Sequence, residues 1–261
     1  MWKAIVSSFL LAQAGQAASW QKLKTPRGSE VEIQVQLPAG VTSPPLLILA
    51  PGQSCNARRP FFEAMAQAAL AQQVGLVRLE WSYCVAGGGK GNPSPDLAAE
   101  LEDLRTVLGY ARKLPGIDVK RILIGGKSLG SLVAWKLLQE DAAIPAAALL
   151  TPVCSYDRDD KEQVLPEPKN LIPENYPGLA AESRPLLFVL GNQDSLCHPP
   201  LLYAGLAQTR GKASVVVVGG GHGLNLVTAD KKDDPAGTER NLKSAALALF
   251  NWVRLVADHS P

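Results

Sequence analysis

Arg121-Ile122-Leu123-Ile124-Gly125-Gly126-Lys127-Ser128-Leu129-Gly130 is the stretch on which the fold turns. Residues 121–125 form a short apolar run, as for a strand buried on both faces, and residues 129–140 carry apolar side chains at helical spacing. Between them Gly126-Lys127-Ser128-Leu129-Gly130 matches Gly-x-Ser-x-Gly. A strand before that pentapeptide and a helix after it distinguish a nucleophile elbow from a chance match. Gly126 and Gly130 have a mechanical reason to lack side chains, because a Cβ in so tight a turn would collide with the neighbouring strand and helix. Ser128 is then held in a strained turn with its hydroxyl projected from the sheet, and the positive end of the helix faces developing negative charge.

The same rhythm extends in both directions. Residues 30–37 alternate polar and apolar, as for a half-exposed antiparallel strand near a sheet edge. A strand buried on both faces is expected at 46–50, further strands at 75–81, 146–150, 185–190 and 214–218, and helices at 61–73, 96–114, 201–208 and 239–257. Strands alternating with helices predict parallel β-α-β units, hence a mostly parallel twisted sheet with helices on both faces. Two stretches break the pattern. Residues 86–95 read as a mobile loop rich in glycine and proline. Residues 151–184 hold five prolines and a mixed charge run at 157–162, which reads as solvated surface too short for a large cap.

A serine hydroxyl needs a base. Of the three histidines, His259 lies in the tail, and His198 reads as a rim residue. His222 stands in Gly219-Gly220-Gly221-His222-Gly223, where glycines let a loop bend and present the imidazole; it is the favoured base. The imidazole needs a carboxylate to set its tautomer. Asp194, directly after the strand at 185–190, is the natural choice, with Asp157 its main rival. Two backbone donors for an oxyanion are expected from Leu129, just after the serine, and from Gln53 in Pro51-Gly52-Gln53-Ser54.

Together Pro51-Gly52-Gln53, the elbow, Gly191-Asn192-Gln193-Asp194 and Gly221-His222-Gly223 resemble the α/β-hydrolase superfamily, and within it the small dienelactone-hydrolase-like branch. The likeness covers roughly residues 30–258. It implies an eight-stranded sheet, of which seven strands are located above, and a triad in chain order Ser128, Asp194, His222. One departure stands out: Pro51 occupies a position where many relatives carry histidine in the oxyanion loop. Backbone donors do not require that side chain. The implied reaction is cleavage of a small-molecule carboxylic ester or thioester through an acyl-enzyme on Ser128, with no metal or organic cofactor. The motifs do not separate esters from amides, so a peptidase or amidase shares them. A catalytically silent binding protein on the same fold is the competing class.

The sheet order implied by the superfamily also bears on the cysteines. Cys55 and Cys84 follow neighbouring strands, as do Cys154 and Cys197, so pairing Cys55 with Cys84 and Cys154 with Cys197 joins adjacent loops. Four buried thiols in a cytosolic enzyme are the alternative.

Residues 1–17 have the form of a secretory signal: Met1-Trp2-Lys3, an apolar stretch from Ala4 to Ala14, then small residues with cleavage after Ala17 or Ala18. An amphipathic N-terminal helix is the other reading. The expectation is an exported protein with one domain spanning residues 18–261. Other classes are excluded by composition. With 46% hydrophobic and 19% charged residues the chain is neither disordered nor fibrous, and a dispersed net charge of +2 is no nucleic-acid footprint. No apolar run reaches the ~18 residues of a membrane span, and no cysteine near the cleavage region could take a lipid anchor. The common Cys/His metal-site spacings are absent.

Overall fold

Leu46–Ala50 is apolar at every position, and every position is buried. Successive side chains of a strand point to opposite faces. Leu46, Ile48 and Ala50 accordingly enter one core layer, and Leu47 and Leu49 enter the other. A strand buried on both sides requires helices above and below it, and this requirement organises the molecule. The computed structural model describes residues 19–55, 57–158, 163–228, 230 and 232–259. The expected leader at 1–17 and most of the charge run, at 159–162, lie outside them.

In chain order the elements are β1 (Gln21–Lys24), β2 (Glu30–Gln36), β3 (Leu46–Ala50), α1 (Pro60–Ala71), β4 (Gly75–Glu80), α2 (Ser82–Ala86), α3 (Ala98–Ala111), β5 (Ile122–Lys127), α4 (Leu129–Glu140), β6 (Ala147–Leu150), β7 (Ser155–Arg158), β8 (Val164–Asn170), α5 (Ile172–Asn175), β9 (Leu186–Gly191), α6 (Pro199–Leu206), β10 (Ala213–Val218) and α7 (Pro235–Asp258). The eight-stranded sheet runs β1-β2-β4-β3-β5-β6-β9-β10. Its first two pairings are antiparallel and the remaining five are parallel. The α3 residues Leu104 and Val107 and the α4 residues Val133 and Trp135 fill one face. The α1 residues Phe62 and Met65 and the α7 residues Leu249, Phe250 and Val253 fill the other.

The order reverses at β3. The chain steps from β3 outward to β4, then returns across the sheet to place β5 on β3's other side, with Ala50 opposite Gly126. In open α/β sheets the crevice at such a reversal is where ligands bind, beyond the strands' carboxyl ends. Here that position is flanked by the loop after β3 and the turn after β5.

Several elements differ from the reading of the sequence. The eighth strand is β1, which the reading of the sequence does not locate; β2 lies beside it, antiparallel and second from the edge, as expected. The segment after β4 begins with a short helix, α2. The proline-rich segment at 151–184 carries the β7–β8 hairpin, whose register shifts between Tyr156 and Arg158. Helix α7 begins at Pro235, earlier than expected, where the Asp234 carboxylate accepts the Gly237 N–H and proline fits the first turn. Among the described residues no helix is long and apolar enough to cross a membrane, and no large cap domain interrupts the sheet.

Candidate active site

Ser128 sits at the junction of β5 and α4 with φ 53° and ψ −122°. A non-glycine residue held at positive φ is strained, and surrounding structure must hold it there. The backbone N–H of Ser128 donates to the Leu150 carbonyl at 2.9 Å, and its carbonyl accepts from both the backbone and the hydroxyl of Ser131. The Ser131 hydroxyl in turn meets the buried Tyr176 hydroxyl at 2.9 Å. The two flanking glycines are required by contact distance. A Cβ on Gly126 would lie 2.0 Å from the Gly130 carbonyl oxygen, and one on Gly130 would lie 2.5 Å from that of Pro51. The second contact also shows how closely the loop after β3 approaches the start of α4.

His222 reaches Ser128 from the loop after β10. Its Nε2 is 2.8 Å from Ser128 Oγ. Its Nδ1 is 2.9 Å from Asp194 Oδ1 and 3.1 Å from Oδ2. With Nδ1–H donated to the carboxylate, Nε2 is left to accept the Ser128 hydroxyl proton. The Asp194 side chain is fully buried, and Oδ1 also accepts the Leu196 N–H, so its orientation is set from two sides. The tight passage of the His222 loop against β9 explains a further glycine: a Cβ on Gly191 would lie 2.1 Å from the Gly220 carbonyl oxygen. The rival carboxylate, Asp157, lies elsewhere, 3.9 Å from the Nε2 of His198. His259 closes α7, where Nδ1 donates to the Leu255 carbonyl.

Leu129 is the first residue of α4, so its N–H belongs to the unpaired first turn of a helix. Gln53 is exposed, in the loop after β3. That loop is stapled to α2 by the Cys55–Cys84 disulfide, with 5.4 Å between Cα atoms, while Cys154–Cys197 ties the start of the β7–β8 segment to the loop that carries Asp194. All four cysteines are paired. Among the described residues no three His, Cys, Asp or Glu side chains converge as metal ligands would.

Several residues at the site occupy positions that no motif specifies. Lys127, inside the pentapeptide, is buried with its ammonium 5.5 Å from the Phe61 ring centre. Burial pushes its pKa down to about 8, against the opposing charge of Asp194. Tyr176 bridges Ser131 and the Val153 N–H, and burial raises its pKa well above the ordinary value. Trp81, next after β4, is fully buried against the loop after β3. Only position could have pointed to Trp81: it follows a strand on the same sheet edge as the elbow. A groove of about 1150 Å³ lies instead between α1 and α7, and none of Ser128, Asp194 or His222 borders it.

This sheet order, with a serine on a strained strand-to-helix turn and a histidine after the last strand, defines an α/β-hydrolase. The chain belongs to the alpha/beta hydrolase domain family, which it matches over residues 43–254. Among solved structures it is similar to an alpha-beta serine hydrolase homologue from Coxiella burnetii, at 17% identity and TM-score 0.66 over 91% of this chain and 99% of that one. Est1E from Butyrivibrio proteoclasticus is similar at 15% identity and TM-score 0.63 over 91% and 98%. A Xanthomonas campestris a/b serine hydrolase described as lacking a lid is similar at 15% identity and TM-score 0.59 over 94% and 95%. Among curated proteins, the quorum-quenching protein AidA of Acinetobacter baumannii is 32% identical over 95 residues, 36% of this chain and 30% of its own length. The polyketide transferase af380 of Aspergillus fumigatus is 29% identical over 94 residues, 35% of this chain and 32% of its own. These alignments thus span about a third of each curated relative.

Proposed function

We propose that this protein is an exported serine hydrolase that cleaves a small carboxylic ester or thioester through an acyl-enzyme on Ser128. The observation that carries the proposal is the hydrogen-bonded line from Asp194 through His222 to Ser128. In this reading Ser128 Oγ attacks the substrate carbonyl as its proton passes to His222 Nε2. The oxyanion is met by the N–H groups of Leu129 and Gln53, with the N-terminal end of α4 adding positive potential. His222 then protonates the departing alcohol or thiol. In the second half-reaction it takes a proton from water as the water attacks the acyl carbonyl, and returns it to Ser128 Oγ as the acid leaves. Asp194 keeps the imidazole in the required tautomer and stabilises the imidazolium. Both disulfides support export, since such bonds persist in oxidising compartments.

A fluorophosphonate probe tests the chemistry directly. Labelling of wild type and none of Ser128→Ala is expected. A folded wild type that does not react overturns the proposal and favours a catalytically silent binding protein. Turnover of matched p-nitrophenyl esters, thioesters and anilides then sets the substrate class; preference for the anilides would move the assignment to amide cleavage.

A further inference from the structure

We propose that Trp81 is a positioning residue for acyl transfer at Ser128: its indole N–H holds the Pro51 and Gly52 carbonyls, and so fixes the peptide plane that presents the Gln53 N–H to the oxyanion. This rests on the hydrolase reading above and names a residue that neither the motifs nor the hydrogen-bonded line includes.

A backbone N–H stabilises developing charge only if it is aimed in advance, because reorienting it during the reaction would consume the gain. Gln53 is exposed, next to the buried Pro51 and Gly52, in a loop where a peptide unit can rotate unless something holds it. Trp81 supplies that restraint. It is fully buried, and its Nε1 lies 3.2 Å from the carbonyl oxygens of both Pro51 and Gly52. The Gly52 carbonyl and the Gln53 N–H belong to one planar unit. The described chain contains no cis peptide, so the two point in opposite directions. Holding the carbonyl toward the indole therefore directs the N–H away from it. The next unit is held too, since the Tyr83 hydroxyl donates to the Gln53 carbonyl at 2.7 Å. Both peptide planes flanking Gln53 are thus tied by side chains three and one residues upstream of Cys84.

The rest of the loop is anchored from the same short segment. The disulfide fixes Cys55 to Cys84, and the Glu80 carboxylate accepts the N–H of Ala57 at 3.1 Å. Glu80 also accepts the N–H of Trp81 at 3.3 Å, which links the loop's far end to the residue that holds its near end. On the other side, the Pro51 carbonyl packs against Gly130 at the start of α4. A loop clamped from residues 80–84 on one side and abutting the elbow on the other is a preorganised donor, and Trp81 is the restraint nearest to Gln53 N–H.

The test replaces Trp81 by 3-benzothienylalanine, in which sulfur takes the place of the indole N–H while shape is kept, with Trp81→Phe in parallel. Turnover of p-nitrophenyl acetate is measured per active site titrated with fluorophosphonate, so that misfolded molecules do not count. The expected result is a fall in kcat of about 10-fold or more, with KM within about twofold. Affinity for a trifluoromethyl ketone, which forms a tetrahedral oxyanion, should weaken by a similar factor, and affinity for the product acid should not. Should Trp81→Phe fail to fold, the isosteric analogue still decides. An analogue that turns over like wild type, or that loses only KM or the number of titratable sites, overturns the positioning role and leaves the hydrolase reading intact. A wild type with neither turnover nor labelling overturns both.

Discussion

Ser128, His222 and Asp194 come from three separate loops, and the hydrogen bonds joining them make each removal a different experiment. Ser128→Ala and His222→Ala should each lower turnover by roughly 10⁴-fold or more with little loss of stability, since neither side chain fills the core. Asp194→Asn should be nearly as damaging, because an amide in place of the carboxylate favours the wrong imidazole tautomer. Asp157→Asn should leave kcat unchanged; the opposite pattern would reassign the acid. Lys127 poses a separate question at this scale. Its folded pKa near 8 lies below the ordinary lysine value of 10.5, which the unfolded chain retains. Between those two values the unfolded chain binds more protons than the folded one, so the contribution of this group to stability rises with pH through that window. Below pH 8 the full cost of a buried charge is present. Lys127→Met keeps the apolar stem and removes the charge. It should raise stability at pH 7 by about 3 kcal/mol and flatten the profile from about pH 8 to 10.5. Urea denaturation of both proteins at pH 7 and pH 10 measures the difference; an equal gain at both pH values would show that the ammonium is not the cause.

At the scale of elements, the loop between β3 and α1 makes the sharpest prediction. Gln53→Ala keeps the backbone N–H and should change kcat by less than about threefold. Gln53→Pro deletes the donor and should cost roughly 10²-fold or more, part of it from proline's distortion of the loop. A damaging Gln53→Ala in a folded protein would place the side chain itself in the reaction. The candidate site was legible because its chemistry is confined to few residue types, each set just after an apolar strand: Ser128 after β5, Asp194 after β9, His222 after β10. Elements without such a signature were not. In β1, Gln21-Lys22-Leu23-Lys24, three of the four residues are exposed, so no periodicity marks it; its strand character comes from the ladder it adds to β2. Helix α2 has five residues, too few for a repeating pattern. In β8, Pro166 and Pro168 argue locally against a strand, yet a two-stranded hairpin outside the main sheet leaves unpaired edges where missing donors cost little. Trp81 escaped for another reason: what matters is which carbonyls its indole meets, and no spacing along the chain encodes that.

At the scale of the whole molecule, the sheet gathers the loops of β3, β4, β6 and β9 at one edge, and the disulfides join them in neighbouring pairs: β3 with β4, and β6 with β9. The Cys154–Cys197 bond closes 43 positions and Cys55–Cys84 closes 29. Chain-entropy reasoning assigns each about 4 kcal/mol, so losing either should be costly in a protein of ordinary net stability. The two should nonetheless fail differently. Cys55 lies two residues beyond Gln53, and Cys84 three beyond Trp81, so the Cys55→Ser/Cys84→Ser variant should lose kcat per titrated site as well as stability. The bond between Cys154 and Cys197 encloses the β7–β8 hairpin, α5, β9 and Asp194, but Asp194 is also held by the Leu196 N–H and by its own N–H to the Gly191 carbonyl, so the Cys154→Ser/Cys197→Ser variant should lose stability with a smaller change in kcat. Comparing urea midpoints with titrated turnover for the two variants separates these effects; equal kcat losses would show that the first bond has no special hold on the oxyanion loop. Peptide mapping under non-reducing conditions, on protein taken from its native compartment, should recover Cys55 with Cys84 and Cys154 with Cys197. Four free thiols there would remove the argument for export, and a Cys55–Cys154 link would contradict the sheet order itself, because β3 and β6 are separated by β5.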